Sequence, residues 1–396
     1  MSGFSSTPLA AQRTVERLRP FATTIFAEMT ELAVRHGAVN LGQGFPDDDG
    51  PAEMLRQAQQ AIASGLNQYP PGRGMPVLRN AIARDRELRY GQVYDPEVGV
   101  LVTVGATEAI SAAILGLVEP GDEVLLIEPY YDSYAASVAL AGAVRRTVPL
   151  VRDGDGFALD LDALRRAPGP RTRMIIVNSP HNPTGTVLSR DELLAIAEVA
   201  KEHDLVVVAD EVYEHLTFGE RPHLSIASLP DMYERTVVIS SAAKTFNVTG
   251  WKTGWACGPE SLIDAVRAAK QFMTFVAGGP FQPAVAYALE NEQEWIKTSR
   301  DSFDARRRLL NSTLVDLGLD VTRCDGSYFI CADITSLGAD DALAFCRELP
   351  GRIGVAAVPV SVFTDHTEPW RSFVRFTFCK SVETMQEGVA RLAKLK

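Results

Sequence analysis

The chain has 396 residues, of which 46% are hydrophobic and 22% charged, and it carries a formal net charge of −11. This length predicts two domains, or one large domain with an appendage, and the composition is that of an ordinary globular protein. The negative charge argues against nucleic acid and anionic membrane as main partners, and no run reaches the ~18 apolar residues of a membrane span.

The amino terminus has no apolar stretch of the kind that a secretion signal needs, so a cytoplasmic protein is expected. Five cysteines make an odd set without CxxC spacing, which predicts free, buried thiols in a reducing compartment. Six histidines show neither HExxH nor another metal-ligating spacing, and no metal site is predicted.

From about residue 100 onward, short apolar runs alternate with helical patterns. The strand-like runs are 100–104, 123–127, 174–178, 205–210 and 236–239. Apolar residues at helical spacing indicate helices over 108–118 and 190–203. This alternation predicts an α/β fold, with a mostly parallel sheet sandwiched by helices.

The last hundred residues have a different pattern. A long charged helix is predicted over 294–317, followed by strand-like 327–334 and 373–378 around a helical 340–349. These elements indicate a smaller α+β domain, and the Pro/Gly-rich segment 277–283 predicts a bend that leads into it. We therefore predict an N-terminal segment over 1–40 that packs on the small domain, a large domain over 41–290 and a small C-terminal domain over 291–396.

Polar residues collect just after the predicted strands. Gly105, Ala106 and Thr107 follow the first strand and open a helix, whose N-terminus offers unpaired N–H groups to an anion. Asn182 precedes Pro183 in a loop with two prolines and a glycine, so Asn-Pro is a candidate cis bond that would hold the Asn182 amide rigidly. A plain strand–turn–helix and a simple turn are the alternatives at these two places.

Two further strands end in charged groups. Asp210 ends an apolar strand, where an acid is costly to bury without a cationic partner, and a solvated strand end is the alternative. Ser241, Lys244 and Lys252 follow the strand at 236–239, at the kind of strand end where α/β proteins bind ligands.

Motif searches exclude several classes of enzyme. Neither GxGxxG nor GxxxxGK[ST] occurs, so dinucleotide and P-loop nucleotide binding lose their usual support. The segments 241–244 and 252–254 match the SxxK and KTG motifs of penicillin-recognising hydrolases. We reject that interpretation because the two motifs are too close to span the helical domain of that fold, and no SDN triplet is present.

Taken together, the polar clusters resemble the class I/II aminotransferases, which are pyridoxal phosphate enzymes of fold type I. The similarity covers nearly the whole chain, from Leu41 to Cys379. It is carried by Gly105-Ala106-Thr107, Asn182-Pro-Thr-Gly, Asp210-x-x-Tyr213, Ser241-x-x-Lys244, Lys252 and Arg375.

The resemblance implies a role for each of these positions in holding the cofactor. Lys244 would be its covalent anchor and the base that moves the substrate α-proton, and Asp210 would pair with the ring nitrogen. Tyr213 and Asn182 would hydrogen-bond the phenolic oxygen of the ring, and Tyr131 would stack on it. Ala106 and Thr107 would hold the phosphate at the helix N-terminus together with Ser241 and Lys252, and Gly105 would also belong to the cofactor-binding residues.

The substrate and a second subunit follow from the same resemblance. Arg375 would pair with the substrate α-carboxylate, which the Gly44 backbone and Asn182 would also contact. Tyr69 would reach the phosphate of the other subunit, so a homodimer with shared active sites is implied. The partners would be small-molecule amino acids and 2-oxo acids such as 2-oxoglutarate.

One departure points to a branch of the family. Much of the family has arginine where this chain has Lys252, and a lysine still neutralises a phosphate. The chain is most similar to the branch of kynurenine, glutamine and methionine aminotransferases and actinobacterial N-succinyldiaminopimelate aminotransferases. Small residues at 277–280, where the kynurenine branch tends to place bulkier groups, would leave room for a long or acylated side chain.

We therefore expect transamination of N-succinyl-L,L-diaminopimelate in lysine biosynthesis. Kynurenine, glutamine and methionine remain alternative donors, and a cysteine-conjugate β-lyase remains an alternative reaction with the same cofactor. A non-enzymatic effector-binding module is disfavoured, because Lys244 is retained and no fused DNA-binding segment is recognised.

Overall fold

The computed structural model describes residues 13–395, so the first twelve residues of the predicted N-terminal segment lie outside it. Its strands are β1 (Val39–Asn40), β2 (Val100–Val104), β3 (Glu123–Glu128), β4 (Val144–Asp153), β5 (Gly156–Leu159), β6 (Thr172–Asn178), β7 (Val206–Asp210), β8 (Thr236–Ser241), β9 (Thr253–Cys257), β10 (Asp320–Val321), β11 (Phe329–Asp333), β12 (Val355–Ala356), β13 (Val358–Pro359) and β14 (Phe373–Thr377).

The α-helices surround these strands. They are α1 (Ile25–His36), α2 (Ala52–Ala63), α3 (Pro76–Tyr90), α4 (Gly105–Leu117), α5 (Asp132–Leu140), α6 (Leu161–Arg166), α7 (Arg190–Glu202), α8 (Ala242–Thr245), α9 (Glu260–Lys270), α10 (Phe281–Asn291), α11 (Gln293–Asp316), α12 (Ala342–Ile353) and α13 (Val382–Leu392). Within residues 13–395, no helix combines the length and the apolarity needed to cross a membrane.

The large sheet confirms the predicted α/β fold. Its strand order is β2-β9-β8-β7-β6-β3-β4-β5, and the pairs β8–β7, β7–β6, β6–β3 and β3–β4 are parallel. The central strands are buried on both faces, which explains why they read as continuous apolar runs rather than as alternating patterns. The antiparallel strand β9 is an element that the sequence pattern did not predict, because Lys252 directly precedes it and it begins with Thr253 and Gly254.

A smaller antiparallel sheet, β10-β11-β14-β13, contains the two strands predicted near the carboxyl terminus. The predicted helices over 294–317 and 340–349 correspond to α11 and α12. Strand β1 pairs in parallel with β12, which joins the N-terminal part of the chain to the region around the small sheet. The domain boundaries at residues 40 and 290 remain a prediction.

The sheet register brings the predicted polar residues to one edge. Asn178 at the end of β6 lies beside Asp210 at the end of β7, and Asp210 lies beside Ile239 of β8. Strand β8 continues for two residues to Ser241, and Lys244 follows on the short helix α8. All five cysteines are free and buried, as predicted.

Candidate active site

A cavity of about 320 Å³ opens at the carboxyl ends of the parallel strands and extends to the small sheet. Every predicted site residue except Tyr69 lines it. These residues are Gly44, Gly105, Ala106, Thr107, Tyr131, Asn182, Asp210, Tyr213, Ser241, Lys244, Lys252 and Arg375. Residues more than 300 positions apart in the chain thus share one small space.

Lys244 reaches the cavity from helix α8. Its Nζ donates hydrogen bonds to the Tyr328 hydroxyl at 2.7 Å and to the Gly44 carbonyl at 3.2 Å. Burial lowers the pKa of Lys244 to about 8, and the nearby positive charges of Lys252 and Arg375 act in the same direction. The amine is therefore much easier to deprotonate than an ordinary lysine.

Asp210 is only 4% exposed. Its Oδ2 accepts a hydrogen bond of 2.5 Å from the Tyr134 hydroxyl, and its Oδ1 accepts one of 3.3 Å from the Val212 N–H. Burial raises the pKa of Asp210 to about 6, although both hydrogen bonds and the charge of Lys244 oppose that rise. None of the ion pairs among residues 13–395 involves this carboxylate, which is thus available to a cation in the cavity.

Arg375, in the middle of β14, is 1% exposed. Its Nη1 donates to Asn182 Oδ1 at 2.9 Å, its Nη2 donates to the Gly42 carbonyl at 2.7 Å, and its buried Nε has no partner among the described residues. The guanidinium lies 4.1 Å from the centre of the Phe329 ring. No aspartate or glutamate within residues 13–395 forms an ion pair with it, so a carboxylate can be received from outside.

The start of α4 forms a cradle with Lys252. Gly105 has a φ of +74°, and a side chain there would stand 3.2 Å from the Lys252 amine. A side chain at Gly254 would come within 2.5 Å of the Gly105 backbone, so glycine is required for this close approach. A helix N-terminus beside a lysine is suited to a dianionic group such as a phosphate.

Several residues at the site were missed by sequence reasoning. Tyr134, three residues after Tyr131, bonds Asp210, and its ring stands edge-on to that of Tyr131 at 5.6 Å. Asn178 donates to the Asp210 carbonyl and accepts from the Asn182 N–H. Tyr328 bonds Lys244 but was interpreted only as part of a strand. The aromatic-rich EPYYDSY segment was the available signal for Tyr134.

A buried charge network lies behind Asp210. Arg86 bonds Glu211 at 2.8 Å and Glu214 at 2.6 Å, and Ser240 donates to the second oxygen of Glu214. His223 lies close enough to these two carboxylates for the three groups to surround a metal ion. Because Arg86 already bonds both carboxylates, we interpret the network as a structural link between α3 and the turn after β7.

Tyr69 does not line the cavity of its own chain. Its side chain is 81% exposed, and its ring stands edge-on to Phe275 at 5.5 Å. The sequence prediction assigns it to the site of a second subunit, which is compatible with this exposed position.

Comparison with known proteins identifies the class. The family model described as aminotransferase class I and II matches residues 36–392. The chain therefore belongs to the class I and II aminotransferases, and it is a pyridoxal phosphate-dependent enzyme, as the resemblance implied.

The predicted branch is also confirmed. A probable N-succinyldiaminopimelate aminotransferase of Mycobacterium tuberculosis is 60% identical over 96% of this chain and 98% of its own length. The solved structure of N-succinyldiaminopimelate aminotransferase from that organism has a TM-score of 0.95 and 61% identity, over 97% of this chain and 100% of the other. The methionine aminotransferase of Escherichia coli is 37% identical over 99% of this chain and 100% of its own length.

Proposed function

We propose that this aminotransferase takes the amino group of N-succinyl-L,L-diaminopimelate and passes it to 2-oxoglutarate, in lysine biosynthesis and in the cytoplasm. The 60% identity to the mycobacterial relative, against 37% to the methionine aminotransferase, supports this donor. The observation that carries the reaction type is that two buried charges without ion-pair partners among the described residues, Asp210 and Arg375, share a cavity with an amine whose pKa is lowered.

The charged groups that line the cavity fit pyridoxal phosphate. Asp210 is a buried carboxylate without a cationic partner in the described chain, which suits a protonated ring nitrogen. The N-terminus of α4 with Ser241 and Lys252 suits the phosphate. Tyr213 and Asn182 also line the cavity and would contact the phenolic oxygen of the ring, and Tyr131 would cover one face of the ring.

When bound, the cofactor withdraws electrons from the α-carbon of the amino acid. Lys244 removes the α-proton with its ε-amine, which burial keeps easy to deprotonate. Asp210, held by Tyr134, keeps a positive charge at the ring nitrogen favourable. Arg375 orients the substrate by a two-point contact with its α-carboxylate, and Asn182 holds the guanidinium in place.

A panel of amino donors tests the proposed substrate. With 2-oxoglutarate as acceptor and glutamate as the measured product, N-succinyl-L,L-diaminopimelate should give the highest kcat/KM. Methionine, kynurenine and glutamine are the comparison donors. A higher kcat/KM for any of these would contradict the proposed donor, but it would leave the assignment of the protein as a transaminase unchanged. Pyruvate and ammonia released from a cysteine conjugate without any oxo acid would instead identify β-lyase activity.

The proposal includes a homodimer with shared active sites. We group Tyr69 with Phe272, Met273 and Phe275 as an exposed apolar patch, because Tyr69 packs against Phe275 and the other two, of which Phe272 is 87% exposed, lie within three residues of Phe275 in the chain. Contiguous exposed apolar side chains of this kind mark an interaction surface. A second copy of the chain that covers the patch would carry Tyr69 to the phosphate end of its partner's cavity.

Mixed dimers test the sharing of sites. Tyr69→Ala and Lys244→Ala homodimers should each have low activity. Co-expression should restore activity, because one site of each mixed dimer receives Lys244 from one subunit and Tyr69 from the other. Random pairing would leave about a quarter of all sites complete. If Tyr69 served its own subunit, no mixed dimer would contain a complete site, and no activity would return.

A further inference from the structure

We propose that Tyr328 is a positioning residue for the catalytic Lys244. Its hydroxyl and the Gly44 carbonyl together form a two-point acceptor that holds the ε-amine of Lys244 and aims it for proton transfer. The inference deepens the proposed function and rests on it, since it takes Lys244 as the group that carries the proton.

The hydrogen bonds around Lys244 have a defined direction. The Tyr328 hydroxyl lies 2.6 Å from the Gly44 carbonyl oxygen, and Lys244 Nζ lies 2.7 Å from that hydroxyl. A carbonyl oxygen can only accept, so the Tyr328 proton points to Gly44. The Tyr328 oxygen therefore presents its lone pairs to Lys244, and it acts toward the amine as an acceptor.

This direction determines where the amine lone pair points. A neutral amine has two N–H groups and one lone pair, and Nζ donates to both Tyr328 and Gly44. The lone pair of Nζ therefore points away from both acceptors. The carbonyl oxygen of Gly44 can accept from both Tyr328 and Lys244, because it has two lone pairs.

A proton can therefore be received without breaking either hydrogen bond. As the C–H bond at the substrate α-carbon breaks, its proton bonds to the lone pair of Nζ, and the electron pair stays on the substrate side. The resulting ammonium keeps the same two acceptors. The base thus needs no reorientation during the transfer, which is the advantage of a pre-positioned catalytic group.

The two acceptors are held firmly. Tyr328 is 0% exposed, and its ring stands edge-on to Tyr213 at 5.0 Å and to Phe329 at 4.8 Å. Its carbonyl accepts from the Phe378 N–H at 3.1 Å. A side chain at Gly44 would come within 2.5 Å of the Phe329 ring, so only glycine allows this carbonyl to sit beside Tyr328.

The titratable groups around Lys244 act on its pKa together with these acceptors. After burial, which lowers it most, Cys379 and Asp210 raise the pKa, and Lys252 and Arg375 lower it. Tyr213 also faces the amine through its ring. Acceptors that bond an ammonium favour the charged form, so loss of the Tyr328 hydroxyl should lower the pKa of Lys244 below its value of about 8.

The first test compares Tyr328→Phe with Tyr94→Phe in the cofactor-loaded enzyme. Tyr94 carries a buried hydroxyl that bonds Gln92, away from the cavity. Tyr328→Phe should lower kcat roughly 10- to 100-fold, as expected for a displaced catalytic group. KM for the donor should stay close to that of the unchanged enzyme, and the kinetic isotope effect with α-deuterated donor should rise. Tyr94→Phe should change none of these values.

The second test measures the amine without turnover. Pyridoxal phosphate is added to cofactor-free protein at a series of pH values, and the rate at which visible absorbance appears is recorded. The midpoint should lie near pH 8 in the unchanged protein and in Tyr94→Phe, and at lower pH in Tyr328→Phe. A purely structural tyrosine would leave this midpoint unmoved.

The two proposals fail in different ways. If borohydride reduction fixes a pyridoxyl group on Lys244 but Tyr328→Phe keeps the kcat, isotope effect and midpoint of the unchanged protein, the role of Tyr328 is refuted and the proposed function stands. If the peptide mass shows no pyridoxyl group on Lys244, the proposed function itself is wrong, and the role of Tyr328 falls with it.

Discussion

Replacing Asp210 with alanine should cut turnover by several orders of magnitude while the chain remains folded. The carboxylate is buried, is bonded by Tyr134 and has no cationic partner within residues 13–395. Without it, a positive charge at the ring nitrogen would no longer be stabilised, and the cofactor would withdraw electrons poorly. The measurement is the single-turnover rate of α-proton removal, with donor and cofactor both saturating.

A matched variant, Asp210→Asn, keeps the shape and removes the charge. Turnover near that of the unchanged enzyme in either variant would contradict the pairing of Asp210 with the ring. Both variants also need a check of folding, because a buried residue is being altered. The melting temperature provides this check, and the raised pKa of Asp210 predicts how it should depend on pH.

In the cofactor-free protein, the folded-state pKa of Asp210 is about 6, above its ordinary value of 3.8. The folded state then binds the proton more tightly than the unfolded state, so stability falls as the pH rises from 3.8 to about 6, and the full cost of burying the charged form is present above 6. Below 3.8 both states are protonated, and this cost disappears. Asp210→Asn should therefore melt at a higher temperature than the unchanged protein at pH 8, with a difference that shrinks as the pH falls from about 6 to 3.8.

The strand ends of the site were predictable because each depends on a local pattern. A parallel strand buried on both faces is a continuous apolar run, and Asp210 and Ser241 stand where two such runs end. Parallel strands carry these ends to one edge of the sheet, so residues far apart in sequence could be expected to meet. Family resemblance then added roles that the local pattern alone left open.

The partners of those residues were not predictable in the same way. Tyr134 and Tyr328 are tyrosines in segments whose aromatic content equally suits a core, and nothing local distinguishes them from Tyr94. What distinguishes them is that their hydroxyls form hydrogen bonds with Asp210 and Lys244, which only the folded structure brings near them. The Arg86 network could not be predicted from the sequence either, because Glu211 and Glu214 lie more than 120 positions away from Arg86 in the chain.

Replacing Arg375 with alanine should lower kcat/KM by about 30- to 3000-fold. Removal of one member of a buried charge pair typically costs about 2–5 kcal/mol in binding, and about 1.4 kcal/mol corresponds to a factor of ten. The loss should be similar for every amino donor and for 2-oxoglutarate, because all of them present the same α-carboxylate. A loss confined to one donor would place Arg375 at the side chain of that substrate instead.

Arg86→Ala is the matched control, since both arginines are 1% exposed and differ in their partners. Arg86 bonds Glu211 and Glu214, so its removal leaves two buried carboxylates without their cation and should lower the melting temperature strongly. Arg375 bonds Asn182 and a backbone carbonyl, and its carboxylate partner would arrive only with the substrate. Arg375→Ala should therefore change melting little and kinetics greatly, and a destabilised variant with normal kinetics would remove Arg375 from the active site.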